Sequence, residues 1–237
     1  MNDARSSKLQ ALKAAFPHTI PILTGFLFLG MAYGVFMNAS GFHWFYPFII
    51  SLTVYAGSMQ FVAVNLLLGA FDPSGALMLT LMVNARHLFY GISMLEKYSA
   101  MGRIKPYLIF GLTDETFSIN STVEPPQDVD RKQFYLSVTL LNQIYWVTGA
   151  TLGGIFGALL DFNLEGLEFV MTALLLVIFL EQWMKDKKHT TALIGLGVTA
   201  LSLFIFGSSD FIIPAMLGIV GVLTLFRKNI EKAGDAK

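Results

Sequence analysis

Apolar runs of about twenty residues recur along this chain, separated by short polar stretches. That spacing constrains the fold more than any other feature. A hydrocarbon layer about 30 Å thick needs roughly 20 helical residues to cross it. Backbone N–H and C=O groups in lipid must be satisfied within the segment, which leaves the helix as the spanning form. Candidate segments fall at 17–37, 45–70, 74–95, 106–122, 134–160, 166–184, 190–207 and 210–226. The segment at 106–122 is the weakest, because Asp114 and Glu115 lie inside it, and it reads as a half-span or re-entrant piece. The expected class is all-α: a polytopic integral membrane helical bundle with about seven or eight transmembrane segments.

Composition agrees. Charged residues make up 14% of the chain and hydrophobic types 54%, against about 25% charged in an average soluble domain. Net charge is zero, so no basic excess points to nucleic acid. The absence of cysteine excludes disulfides, thiolate catalysis and Cys-based metal sites. His18, His43, His87 and His189 lie far apart, without the spacing of a metal motif. No phosphate-binding glycine loop or nucleophile elbow is present, so no cofactor is expected. Arg5, Lys8 and Lys13 precede the first apolar run, which is too long for a signal-peptide core and reads as a retained helix.

The whole of 1–237 reads as one transmembrane domain, with possible halves 14–122 and 133–228 joined by a Pro-Pro-containing linker at 123–132. Gly30-Met-Ala-Tyr-Gly34 resembles Gly149-Ala-Thr-Leu-Gly153, Gln60-Phe61 falls against Gln182-Trp183, and the run from Ala76 falls against that from Ala192. The offset, near 120 residues, suggests a weak internal repeat of the kind common in secondary transporters. Loop charges orient the chain. Arg5, Lys8, Lys13, Arg131, Lys132, Lys185, Lys187, Lys188, Arg227, Lys228 and Lys232 suit the cytoplasm, while Asp161, Glu165 and Glu168 suit the outside. If 106–122 crosses fully, Lys97, Arg103 and Lys105 fall on the wrong side.

Three polar interruptions carry the functional signal. In Asn84-Ala-Arg-His87, Arg86 is the one fixed charge between Ala76 and Leu95. A charge at bilayer depth costs about 2.5–3.5 kcal/mol on insertion scales and marks a functional site by default. Its guanidinium can grip a carboxylate bidentately, and His87 can carry a proton. The bland reading is a buried ion pair that locks the fold, or a snorkelling side chain. In Thr113-Asp114-Glu115-Thr116, two adjacent acids need a partner or a wet cavity, and either is the natural partner for Arg86. In Tyr55-Ala-Gly-Ser-Met-Gln-Phe61, Gly57 and Ser58 permit a helix break whose N–H groups could hold a carboxylate. The spacing alone favours a close helix crossing there, with Gln60 bonding a neighbour. The Gly30-xxx-Gly34 pair reads as a packing face, Pro17 and Pro21 mark the start of the first span, and Asn142, Gln143 and Tyr145 read as interhelical hydrogen bonds.

At these residues the chain resembles the AzlC family of branched-chain amino-acid transport proteins, which includes the larger subunits of bacterial valine and isoleucine exporters. The resemblance rests on Tyr55-Ala-Gly-Ser-Met-Gln-Phe61, Asn84-Ala-Arg-His-Leu-Phe-Tyr-Gly91 and Leu112-Thr-Asp-Glu-Thr-Phe117, in order and in register, and runs from about Phe16 to Phe226. Some family members carry Asp where this chain has Asn84. The resemblance implies a multi-pass protein of the bacterial cell membrane. It implies export of valine, leucine and isoleucine driven by the proton gradient, without an ATPase. It also implies a small AzlD-type membrane partner. The candidate substrate-binding or coupling residues are Gly57, Ser58, Gln60, Asn84, Arg86, His87, Asp114 and Glu115. The rival reading is an intramembrane enzyme using His87 with Asp114 and Glu115.

Overall fold

The computed structural model describes residues 2–159, 176, 179–180, 183–184 and 189–226. All regular elements among them are helical, as expected. The chain divides into two compact units, Met1–Glu168 and Phe169–Lys237. The stretch 123–132, expected as the link between halves, therefore lies within the first unit. The expected span at 166–184, the Gln182 member of the suggested repeat and the basic runs at 185–188 and 227–232 lie wholly or mostly outside the described residues.

Helix α1 (Asn2–Ala39) contains the expected first span and extends well before it, so Pro17 and Pro21 lie inside the helix and not at its start. Alongside it runs α7 (Arg131–Leu159). The two are parallel: His18 packs its ring on Phe134, Gly30 lies against Gly149 and Ala150, and Gly157 lies against Val35 and Asn38. A Cβ on Gly34 would land on the Ala150 carbonyl oxygen, and one on Gly153 on that of Met31. Small residues let the two backbones touch. The Gly30-xxx-Gly34 packing face is thus present, and its partner is the stretch that resembles it.

The expected continuous span at 45–70 is not continuous. It splits into α2 (Phe45–Thr53) and α3 (Gly57–Leu68). Tyr55 takes φ 45°, left-handed backbone that L side chains rarely adopt, and the chain reverses there. The start of α2 lies beside the far end of α7, with Trp44 and Pro47 against Gly154. Its last turn reaches the middle of α7, where Gln143 bonds the Leu52 carbonyl. From there α3 returns, so that α4 (Pro73–Ser93) can start at the end α2 came from. The start of α4 is built for that turn: Pro73 needs no N–H in the first turn, and the Gly75 N–H donates to Asp72 Oδ1 at 3.0 Å.

The 106–122 segment also splits. A 3₁₀ turn (Ser99–Ile104) leads into α5 (Lys105–Phe110), a break at 111–113, and α6 (Asp114–Thr122). The Thr113 hydroxyl caps α6 by accepting from the Thr116 N–H at 3.3 Å. The end of α6 comes back beside the end of α4. Lys97 Nζ donates to the Asn120 and Ser121 carbonyls at 3.3 and 2.8 Å and pairs with Glu124 at 2.9 Å, and Glu124 in turn holds Arg131 at 2.6 Å. An apolar core beneath them joins Ala11 and Ala15 of α1 to Met94, Tyr98, Leu108, Ile119 and Phe134.

Two helical hairpins therefore enter the first unit from opposite ends and stop halfway. This settles the charge conflict. Lys8, Lys13, Lys97, Arg103, Lys105, Arg131 and Lys132 gather at one end, while the connections at 40–44 and 69–72 at the other contain Asp72 and no Lys or Arg. Two of the expected spans are thus each a pair of short helices, and the count of seven or eight crossings is not confirmed among the described residues.

In the second unit, α8 (Thr190–Asp210) and α9 (Ile212–Leu225) match the expected segments at 190–207 and 210–226. Gly207 bends the end of α8 with φ 73°. Among the described residues, two helices, Ser7–Ala39 and Thr190–Gly207, are both long and apolar enough to cross a bilayer. Helices α4 and α7, with 21 and 29 residues, have the length but carry polar residues within it.

Candidate functional site

The breaks of the two hairpins meet near Arg86. Tyr55, in the first break, packs its ring 6.0 Å from Phe110, beside the second. Arg86 reaches from α4 into this junction. One of its terminal nitrogens donates to Ser58 Oγ at 3.0 Å and lies 3.2 Å from Asp114 Oδ2. Ser58 is the second residue of α3 and Asp114 the first of α6. A single guanidinium thus joins the starts of two half-helices from opposite hairpins. Each start presents N–H groups without intrahelical partners and the positive end of a helix dipole. At α6, Asp114 and Glu115 lie in the first turn, where negative charge is favoured.

The pair is two-thirds shielded and not sealed. The side chains of Arg86 and Asp114 are 29% and 33% exposed. Arg86 Nε and Asp114 Oδ1 are themselves buried and make no hydrogen bond within the described structure. Both charges therefore keep unused hydrogen-bonding capacity at one spot. A zwitterion, with one carboxylate and one ammonium, has the complementary pair of groups.

The other expected site residues divide. Gly57 opens α3 with its α-carbon against the Trp146 ring: a Cβ there would come within 3.1 Å of the indole. Glu115 lies within electrostatic range of Tyr55 and Tyr90, and Tyr90 lies beside Asp114. His87 turns Nδ1 to the Asn84 carbonyl at 3.2 Å and packs edge-on to Tyr90 at 5.6 Å. Asn84 enters through that carbonyl and is half-buried. Gln60 is drawn away from Arg86: it is fully buried, and its Oε1 accepts from Trp146 Nε1 at 2.7 Å. Its geometry is that of the neighbour bond the sequence suggested. The break at Tyr55, by contrast, is the alternative that spacing alone favoured less.

Several residues outside the expected substrate-binding or coupling set also shape the site. Tyr90 stacks on Phe117 with centroids 4.3 Å apart and so ties α4 to α6. Asn142 Nδ2 donates to Thr116 Oγ1 at 3.1 Å, and Gln143 and Trp146 hold the hairpins from the same stretch of α7. The expected interhelical bonds of Asn142, Gln143 and Tyr145 are all present. What sequence lacked was their partners, which lie 26 to 126 residues away.

Comparison with known proteins is consistent in its direction. Residues 21–160 match the family described as AzlC protein. Over 229 residues the chain is 62% identical to a Bacillus subtilis (strain 168) protein named branched-chain amino acid transport protein AzlC, covering 97% of this chain and 90% of that one. It is 48% identical, over 94% of its length and 91% of the relative's, to a Haemophilus influenzae protein described as an uncharacterized membrane protein. It is 25% identical, over 78% and 80%, to the inner membrane protein YgaZ of Escherichia coli K12. No solved structure matches it. The family match takes in both hairpins, Arg86 and Asp114, and with the 62% identity over nearly all of both chains it shows that this chain belongs to the AzlC family.

Proposed function

We propose that this chain is the large subunit of a secondary transporter that exports branched-chain amino acids across a bacterial plasma membrane, together with a small AzlD-type membrane protein. The observation that carries the reading is the junction of two opposed half-helix hairpins at the Arg86–Asp114 pair. Substrate sites of secondary transporters lie near midplane at interrupted helices. The relative named for branched-chain amino-acid transport supports the cargo.

In this reading Arg86 receives the substrate carboxylate with help from the free N–H groups at the start of α3. Asp114 and Glu115 face the ammonium group. Ser58 positions the guanidinium, and Gly57 keeps the backbone close. Half-buried Phe117 and Tyr90 offer apolar surface to a branched side chain. A proton arriving at Asp114 removes the counter-charge that the substrate ammonium needs, so proton and cargo exclude each other at the site, as exchange of an inward proton for outward cargo requires. His87 lies within electrostatic range of both charges and is the proton carrier of this reading.

The positive-inside rule puts the basic end of the first unit, and hence the N-terminus, in the cytoplasm. Helices α1, α4 and α7 then cross fully. If the apolar runs at 166–184, 190–207 and 210–226 also cross, the basic runs at 185–188 and 227–232 fall on the cytoplasmic side too. Every basic loop is then inside, with six full crossings and two half-crossing hairpins in place of seven or eight spans.

The test is efflux from cells loaded with valine- or isoleucine-containing dipeptide, with the small partner co-expressed. Arg86→Ala should abolish efflux at unchanged membrane abundance, and normal efflux from it overturns the site. Asp114→Asn with Glu115→Gln should flatten the pH dependence of transport. An unchanged profile counts against coupling through these acids.

A further inference from the structure

Gln143 makes two bonds with opposite polarity, one to each hairpin. Its Nε2 donates to the Leu52 carbonyl in the last turn of α2 at 3.1 Å. Its Oε1 accepts from the Tyr107 hydroxyl on α5 at 2.6 Å. The residue is 7% exposed, so water does not substitute readily for either partner. The Leu52 carbonyl is available because the helix stops at Thr53. A carbonyl only accepts, so it fixes which end of the amide faces it, and the oxygen is left for the phenol.

We propose that Gln143 couples the two hairpins, so that displacement of either one changes the opening of the other. Its neighbours each hold one hairpin: Asn142 bonds Thr116 of α6, and Trp146 bonds Gln60 of α3. Gln143 alone of these joins α2 and α5 through a single rigid amide. When α5 moves, the phenol leaves the amide oxygen. The amide then turns, and its hydrogen bond to Leu52 weakens. When α2 moves, the same steps run in reverse. The two polarised bonds strengthen each other while both are made. In an alternating-access cycle the hairpins from opposite ends must not open together, and a shared amide near their breaks sits where that rule can be applied. Nothing in the coupling depends on the chemical identity of the cargo.

The chain contains no cysteine, so single reporters are clean. Val54→Cys reports the break of the first hairpin and Phe110→Cys that of the second; the native side chains are 47% and 40% exposed. The rate of maleimide labelling in membranes is read with and without Tyr107→Phe, which removes one hydroxyl from α5. Labelling at residue 54, on the other hairpin, should change about fivefold, the worth of one neutral hydrogen bond. In a Gln143→Met background, Tyr107→Phe should leave labelling at residue 54 unchanged. If Tyr107→Phe does not alter residue 54, whatever residue 110 does, the coupling is overturned. If its effect at residue 54 survives Gln143→Met, the coupling runs elsewhere and Gln143 is not the link. Should Gln143→Met fail to fold, Gln143→Asn, one methylene too short to reach both partners, replaces it in the same comparison. Normal efflux from Arg86→Ala would overturn the proposed site and leave these labelling results standing, so the two readings fail separately.

Discussion

Glu124 shows how a residue that reads as linker acquires a task. Its two carboxylate oxygens hold Lys97 and Arg131, and Lys97 also closes the last turn of α6. The hydrogen bond from Lys97 holds the Glu124 carboxyl below the usual glutamate range. Such a group stabilises the fold fully above its unfolded value near pH 4.3 and loses that contribution as pH falls through the lowered folded value. Glu124→Gln should therefore lower the detergent-solubilised melting temperature at pH 7 by a small amount, since Glu124 and Arg131 are each more than half exposed. The gap between wild type and variant should close below about pH 4. A gap that persists in acid would mean that Gln disturbs packing and not charge. Nothing in Val123-Glu124-Pro125-Pro126 announces this pairing, because both partners arrive through the chain's return to the same end. Arg86 and Asp114 were more legible. An unpaired charge in an apolar run demands a counter-charge, and few candidates exist. Gln60 was less so, because an amide can satisfy itself equally in a site or in a helix contact.

At the scale of elements, the α1–α7 contact is the frame from which both hairpins hang. Gly34 tolerates no added carbon, since its Cβ would collide with the Ala150 carbonyl and the Gly154 N–H, both backbone. Gly25, on the same helix, has open space around it. Gly34→Ala should then destabilise the protein by about 1–3 kcal/mol as the helices are forced apart. Gly25→Ala should be neutral or slightly stabilising, because Ala is the better helix former. Thermal unfolding of the two variants side by side checks this, and equal melting temperatures would rule out the close crossing. The helices themselves were largely readable: α4, α7, α8 and α9 begin and end close to the expected positions, because length and apolarity set them. The two breaks were not equally readable. Asp114 and Glu115 flagged the second, whereas at the first Gly57 and Ser58 allow either a break or a close crossing, and the observed φ of Tyr55 decides for the turn.

At the scale of the whole molecule, the proposed orientation puts each connection of the first unit on a side of the membrane. Cysteine placed at Glu96 and at Asp72 should label from opposite faces of the membrane with an impermeant reagent, Glu96 from the cytoplasm. Cysteine at Asp128 should share the face of Glu96. Labelling of 96 and 128 from opposite faces would show that 105–122 crosses fully and would remove the second hairpin. Hydropathy alone left this question open, since a crossing segment and a returning one contain the same kind of residues.

By itself, the sequence determined the helical class, the apolar surface and the charge that lipid cannot solvate. Those follow from local rules: a backbone in hydrocarbon must bond to itself, and a buried guanidinium must find an acid. The tertiary structure alone decided that two of the apolar segments turn back at mid-depth. A broken helix exposes carbonyl and N–H groups, and the break is tenable only where distant side chains receive them. Here Gln143 meets the Leu52 carbonyl across 91 residues of chain, and Arg86 meets Ser58 across 28. No window of sequence contains both partners of such a bond.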